Sequence, residues 1–213
     1  MADPLLPEKL DRYLENLVPA RVGRLEEMER QGRLTGFPII GPTCGHFCYL
    51  VARMISARQV FEMGSGYGYS TAWLARAVQE NGGGKVVHTV RDEVLSAQAT
   101  ANLSALGYGD VLDYRVGDAV AELRRTPGPF DLILLDIDKE AYPEALDVIE
   151  ARLRRGGVLL ADNLLLGGAV LDGRDRSPRA RAMHEFTRRV TAGERWIASI
   201  VPMRDGVLLA VRQ

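Results

Sequence analysis

The carboxylates of this sequence that look able to do chemistry stand at the ends of two apolar runs. FDLILLD covers 130–136 and is followed by Ile137, Asp138 and Lys139; GVLLA covers 157–161 and is followed by Asp162 and Asn163. Each run has the length and composition of a buried strand. If alternation by face continues past the first run, Asp136 and Asp138 point the same way. Two carboxylates on one face, with no cation in the strand, suit a metal ion or a shared proton. Ligands of open parallel sheets bind at the carboxyl ends of the strands. Asp136, Asp138, Asp162 and Asn163 would therefore offer hard oxygen donors to Mg²⁺, Ca²⁺ or Mn²⁺, with an amine beside them. The same residue types also serve as helix caps and turn residues. Lys139 draws notice by composition: of 27 basic residues only Lys9, Lys85 and Lys139 are lysines. A lysine can give up its proton, and an arginine effectively cannot.

EMGSGYGYS (62–70) is the second stretch with chemistry in it. Gly64, Gly66 and Gly68 permit a tight turn and a close approach of backbone to ligand. Ser70 falls on the first turn of the helix that follows, where free N–H groups attract an anion. The dinucleotide fingerprint G-x-G-x-x-G would need glycine at 69, where the chain has Tyr69. In this context the turn reads as a cofactor-binding loop; the alternative is a turn that merely needs positive φ.

These residues need a frame to hold them. Short apolar runs at 59–63, 86–90, 111–116, 130–136 and 157–161 alternate with helical patterns at 70–80, 93–106, 118–125, 143–155 and 178–192. Such alternation predicts a parallel sheet with helices on both faces. The last two runs, 196–203 and 206–212, are separated only by Arg204 and Asp205. So short a link allows only an antiparallel hairpin, with Asp205-Gly206 near its turn. The fold class expected is α/β: a Rossmann-like, seven-stranded, mostly parallel sheet with an antiparallel last strand. Extra helices are predicted ahead of it, over 4–17, 20–31 and 43–57. Residues 1–57 and 58–213 read as the helical lead and the α/β core of a single domain.

The bulk numbers fit that frame. Apolar residues make up 46% and charged residues 26% of 213, with a net charge of −1, so no global field draws the chain to nucleic acid or membrane. No apolar run reaches the length of a membrane span, and the N-terminus lacks the pattern of a signal peptide, so a cytoplasmic location is expected. Cys44 and Cys48, four apart on a predicted helix, read as two buried thiols.

With these pieces in order, the chain from about 36 to 212 resembles the cation-dependent O-methyltransferases of the catechol and caffeoyl-CoA type. The matching segments are Gly41 with Gly45-His46-Phe47, EMGSGYGYSTAWLARA, VGDA (116–119), LLDIDKEAYPEAL, GGVLLADN and LGGAV (166–170). The resemblance implies S-adenosylmethionine (SAM) and a divalent cation as cofactors, a small acceptor with vicinal oxygens, and a homodimer. It implies Asp136, Asp162 and Asn163 as metal ligands and Lys139 as general base. It also implies Ile40, Glu62, Gly64, Gly66, Ser70, Asp118, Ala119 and Asp136 around SAM. One position departs. Where the family ends its second strand with an acid that accepts from the ribose hydroxyls, this chain has Val90, and the next acid is Asp92. Asp92 is the candidate replacement. Two other readings stay open: methylation of a hydroxylated tRNA base, with the Arg-rich 177–190 as phosphate footprint, and a non-catalytic ligand-binding homologue, which Val90 alone supports.

Overall fold

A computed structural model describes residues 8–21 and 23–213. Three helices lead: α1 (Glu8–Leu17), α2 (Arg24–Thr35) and α3 (Gly41–Met54). The part of the first predicted helix before residue 8 lies outside the described residues. Helix α2 runs four residues later than its apolar spacing predicts. Gly23 (φ 60) precedes it and Gly36 (φ 70) closes it in the left-handed conformation of a helix C-cap.

Strands and helices then alternate: β1 (Gln59–Met63), α4 (Tyr69–Glu80), β2 (Lys85–Val90), α5 (Glu93–Ala105), β3 (Leu112–Val116), α6 (Ala119–Arg125), β4 (Phe130–Leu135), α7 (Tyr142–Arg152), β5 (Leu153–Ala161), α8 (Pro178–Thr191), β6 (Trp196–Val201) and β7 (Val207–Arg212). The sheet has seven strands in the order β3-β2-β1-β4-β5-β7-β6. All neighbouring pairs up to β5 are parallel, and β7 runs antiparallel to both β5 and β6. Chain order reverses between β1 and β4, which makes their ends the switch point where such sheets bind ligands.

Strand β1 is buried at four of its five positions, and β4 at all but Asp131. Helices α3, α4 and α5 pack one face of the sheet, and α6, α7 and α8 the other. Two expectations shift. Residues 153–155, predicted as the end of a helix, begin β5: Leu153 pairs with Phe130, and a register irregularity follows. The β6–β7 turn is also wider than two residues. Pro202 cannot donate to the ladder, and the turn spans 202–206, closed by Gly206 N–H donating to the Met203 carbonyl at 2.8 Å.

The strand ends are drawn together by backbone. Asp136 N–H donates to the Met63 carbonyl at 2.9 Å, and Asp162 N–H to the Leu135 carbonyl at 3.1 Å. Gly64 (φ 92) makes the first approach possible, because any Cβ there would collide with the Asp136 carbonyl. Gly64→Ala is therefore expected to cost about 2 kcal/mol or more, lowering the melting temperature by roughly 5 °C. A calorimetric scan within 1 °C of wild type, taking about 0.3 kcal/mol as the surface-mutation scale, would contradict this.

Candidate active site

Two cavities open over the carboxyl ends of the strands. The larger holds about 860 Å³ and is lined by Ile40, Gly64, Gly66, Ser70, Asp136, Lys139, Asp162 and Asn163, among others. The smaller holds about 260 Å³ and is lined by Val90, Arg91, Asp118 and Ala119 together with Gly64 and Asp136. Gly64 and Asp136 are thus common to both walls, so the two spaces adjoin at the β1–β4 switch point.

Lys139 is buried, with 9% of its surface exposed. Its Nζ donates to Asp136 Oδ1 at 2.8 Å and to the Tyr142 hydroxyl at 2.7 Å. Tyr142 is fully buried, and its hydroxyl lies 3.1 Å from the Leu135 carbonyl and 3.0 Å from the Asp162 carbonyl. Burial, reinforced by Asp136 and Asp162, pushes the phenol well above its ordinary range. It therefore stays neutral, accepting from the amine and donating to a strand-end carbonyl. Tyr142 ties the lysine to the ends of β4 and β5 at once. Sequence reasoning passed over it; the one available signal was its place three residues after Lys139, at the start of a helix.

Asp162 is 7% exposed, and its Oδ1 accepts from the Asn163 N–H at 2.9 Å. Burial first, and then the nearby Asp136 charge, raise its carboxyl to about 6. A carboxyl raised in this way by burial and a neighbouring carboxylate marks a site where a bound cation would offset the repulsion. Asn163 takes a left-handed φ of 60, tolerable for Asn, and also borders the cavity. Among the described residues no three Asp, Glu, His or Cys side chains form a metal-holding group. The donor set that could hold a cation is two carboxylates and one carboxamide, a hard set that fits Mg²⁺ or Ca²⁺ better than Zn²⁺.

The alternation argument fails at Asp138. Strand β4 ends at Leu135, so the face rule does not reach residue 138. The Asp138 carboxylate is exposed and faces Arg91 at 3.6 Å.

The other expected cofactor residues divide. Ile40, Gly64, Gly66 and Ser70 line the larger cavity, and Asp118 and Ala119 the smaller. Asp118 caps α6 by accepting from the Ala121 N–H at 2.9 Å, and pairs with Arg91 at 2.5 Å. That guanidinium holds its carboxyl below the ordinary range. Glu62 lies on neither wall. It is fully buried behind the glycine turn, where Thr71 Oγ1 donates to its Oε2 at 2.5 Å, and burial raises its carboxyl. Asp92 is also off both walls. Its carboxylate caps α5, accepting from the N–H groups of Val94 at 2.7 Å and Leu95 at 2.9 Å. Val90 does sit on the smaller cavity's wall, so an apolar side chain faces the space that the resemblance gives to the ribose.

Cys44 and Cys48 are buried and unbridged, and burial pushes the Cys44 thiol up to about 12. Helix α8 turns Ala180, Met183, Phe186 and Val190 inward and its arginines outward, with Arg189 paired to Asp147. No helix among the described residues is long and apolar enough to cross a membrane.

A catechol O-methyltransferase of Niastella koreensis is 30% identical over 215 residues, covering 96% of each chain. The solved structure of a Bacillus cereus O-methyltransferase in complex with SAH superposes with a TM-score of 0.87 at 28% identity, covering 96% of this chain and 97% of that one. TomG of Streptomyces achromogenes, an O-methyltransferase involved in tomaymycin synthesis and solved with SAM, gives a TM-score of 0.86 at 26% identity over 96% of both. A family model described as O-methyltransferase matches residues 23–213. The chain belongs to the O-methyltransferase family.

Proposed function

We propose that the protein is a SAM-dependent O-methyltransferase, assisted by a divalent cation, that acts on one hydroxyl of a catechol-like acceptor. The observation that carries this is the buried Lys139 amine, held 2.8 Å from Asp136 in a cavity that also takes in Asp162, Asn163 and the glycine-rich turn. The name of the Niastella relative and the SAM and SAH of the solved neighbours support the same choice.

When bound, SAM supplies an electrophilic methyl group and the cation supplies Lewis acidity toward acceptor oxygens. The chain does the rest. Asp136, Asp162 and Asn163 would hold the cation, and Lys139 Nζ would take the proton of the hydroxyl that gains the methyl. Tyr142 keeps that nitrogen in place. Gly64 and Gly66 leave the backbone of the turn bare for the cofactor, and Ser70 presents the first turn of α4 to its carboxylate. Much of the rate gain in such a site is positioning. Apolar side chains that the N-terminal helices leave exposed, such as Tyr13 and Leu17, support a homodimer.

The test is transfer of labelled methyl from SAM to catechol with Mg²⁺. Product is expected, and a chelator should suppress it. Absence of transfer to catechol and to its substituted analogues would overturn the reading.

Val90 offers a second check. An acid at 90 would accept from ribose hydroxyls, and a hydrogen bond to a charged acceptor is worth about 1.5–3 kcal/mol. Val90→Asp is expected to tighten binding of S-adenosylhomocysteine about tenfold or more by calorimetry. Unchanged affinity would mean that the ribose is gripped from elsewhere on the wall.

A further inference from the structure

The mechanism leaves one cation on the wall of the larger cavity without a task. Arg204 sits in the 202–206 turn at φ 49, a left-handed conformation that few non-glycine residues adopt. Its Nη1 donates to the Ile39 carbonyl at 2.9 Å. The guanidinium lies over Gly41 (φ 72), where a Cβ would come within 2.5 Å of Nη1 and 3.1 Å of Cζ, so the glycine leaves it a seat.

The turn beneath is pinned to the segment that carries Asp162 and Asn163. Leu164 N–H donates to the Gly206 carbonyl at 3.0 Å and Leu165 N–H to the Asp205 carbonyl at 2.9 Å. The adjacent carboxylate is already engaged, since Asp205 Oδ1 accepts from the Gly167 N–H at 2.6 Å. Asp11 shares the cavity wall, yet its Oδ1 has no hydrogen-bond partner and it makes no ion pair with Arg204. Among the described residues Arg204 has no carboxylate within 4.0 Å. A guanidinium has five N–H donors in a fork that fits a carboxylate with two parallel bonds. Here one donor is used, and the group is held in place on the wall of the cavity that also takes in the oxygen donors of the candidate metal site.

We infer that Arg204 binds a carboxylate on the acceptor, so that the acceptor class is a catechol bearing an acid group. This rests on the methyltransferase reading above, and adds to it which diol is chosen. A lysine at 204 would keep the charge and lose the fork.

The experiment compares catechol with 3,4-dihydroxybenzoate, which adds only the carboxylate, for the wild type, Arg204→Lys and Arg204→Met. The wild type is expected to favour the acid. Arg204→Met should lower kcat/KM for the acid about 10–100-fold, chiefly through KM, and leave catechol within about threefold. Arg204→Lys should fall between. Equal losses on both acceptors would overturn the inference and leave Arg204 a structural tie to Ile39. So would a loss confined to S-adenosylhomocysteine affinity, which would place the cofactor's carboxylate there instead. Calorimetric titration of 3,4-dihydroxybenzoate into the same variants decides the point without turnover: binding equal in wild type and Arg204→Met refutes it. If neither acceptor is methylated but Arg204-dependent binding of the acid is seen, the proposed activity fails and the anion site stands. Melting curves within a few degrees confirm that the variants are folded.

Discussion

Replacing Lys139 by Met is expected to lower kcat for O-methylation by about a hundredfold to ten-thousandfold, the usual contribution of a positioned general base. Binding of S-adenosylhomocysteine should stay within a few-fold, because the glycine-rich turn, Ser70 and the smaller cavity are left intact. The side-chain geometry is the reason for so large a loss. Nζ is the one amine with hydrogen bonds to both Asp136 and Tyr142, at 2.8 and 2.7 Å. Tyr142 is itself fixed by carbonyls at the ends of β4 and β5. Among the described residues no second amine makes these contacts, and Asp138 faces Arg91 in solvent. Methionine keeps the volume and apolar stem of lysine, so folding is preserved better than with alanine. Turnover within threefold of wild type, measured with saturating SAM and Mg²⁺, would remove Lys139 from the chemistry. A rate loss matched by an equal loss of cofactor affinity would make it a binding residue instead.

Where the sequence could be read correctly, the physics was local. Strands β1 and β4 emerge within a residue of their apolar runs because both faces of the sheet are covered and almost every position must be apolar. The places of the Gly64 turn, Lys139, Asp162 and Asn163 follow from the same runs, since each lies in a turn that leaves the carboxyl end of a strand. Val90 was legible for the same reason, by its place and its lack of charge. Departures from expected placement arose where tertiary contacts decide. ARLRR continues a helical pattern, yet Leu153 pairs with Phe130 and the strand begins there. Asp92 looked free to reach a ribose, yet the N-terminus of α5 claims its carboxylate. Glu62 looked like a lining residue, yet Thr71 and the core close over it. Tyr142 had as its sequence signal only its place three residues after Lys139, and Arg204 had none of its own. Their roles come from meeting Lys139 across a turn and Ile39 across 165 residues.

Asp162→Asn should make the metal-free protein more stable and the enzyme nearly inactive. The carboxyl is raised from 3.8 to about 6, by burial and by Asp136. A raised folded value means that the native state holds a proton the unfolded chain has lost. Asp162 therefore favours folding below pH 4, and that contribution disappears as pH rises through 6. At pH 8 the buried charge costs up to about 3 kcal/mol at 1.36 kcal/mol per pKa unit. Asparagine removes the charge and retains an oxygen for the Asn163 N–H that now donates at 2.9 Å. The variant should melt higher than wild type at pH 8 without metal, by up to about 6–12 °C at roughly 2–4 °C per kcal/mol. The advantage should vanish near pH 4. Added Mg²⁺ reverses the order, because a ligand of the native state stabilises by mass action and the wild type alone should retain the affinity. Methyl transfer should fall in parallel with that lost response. A wild-type melting temperature indifferent to Mg²⁺ and Ca²⁺ would sink the metal assignment, and a destabilised Asp162→Asn at pH 8 would show that the carboxylate is satisfied by the fold alone. The expected opposition of the two effects marks Asp162 as a residue that stability by itself would not retain.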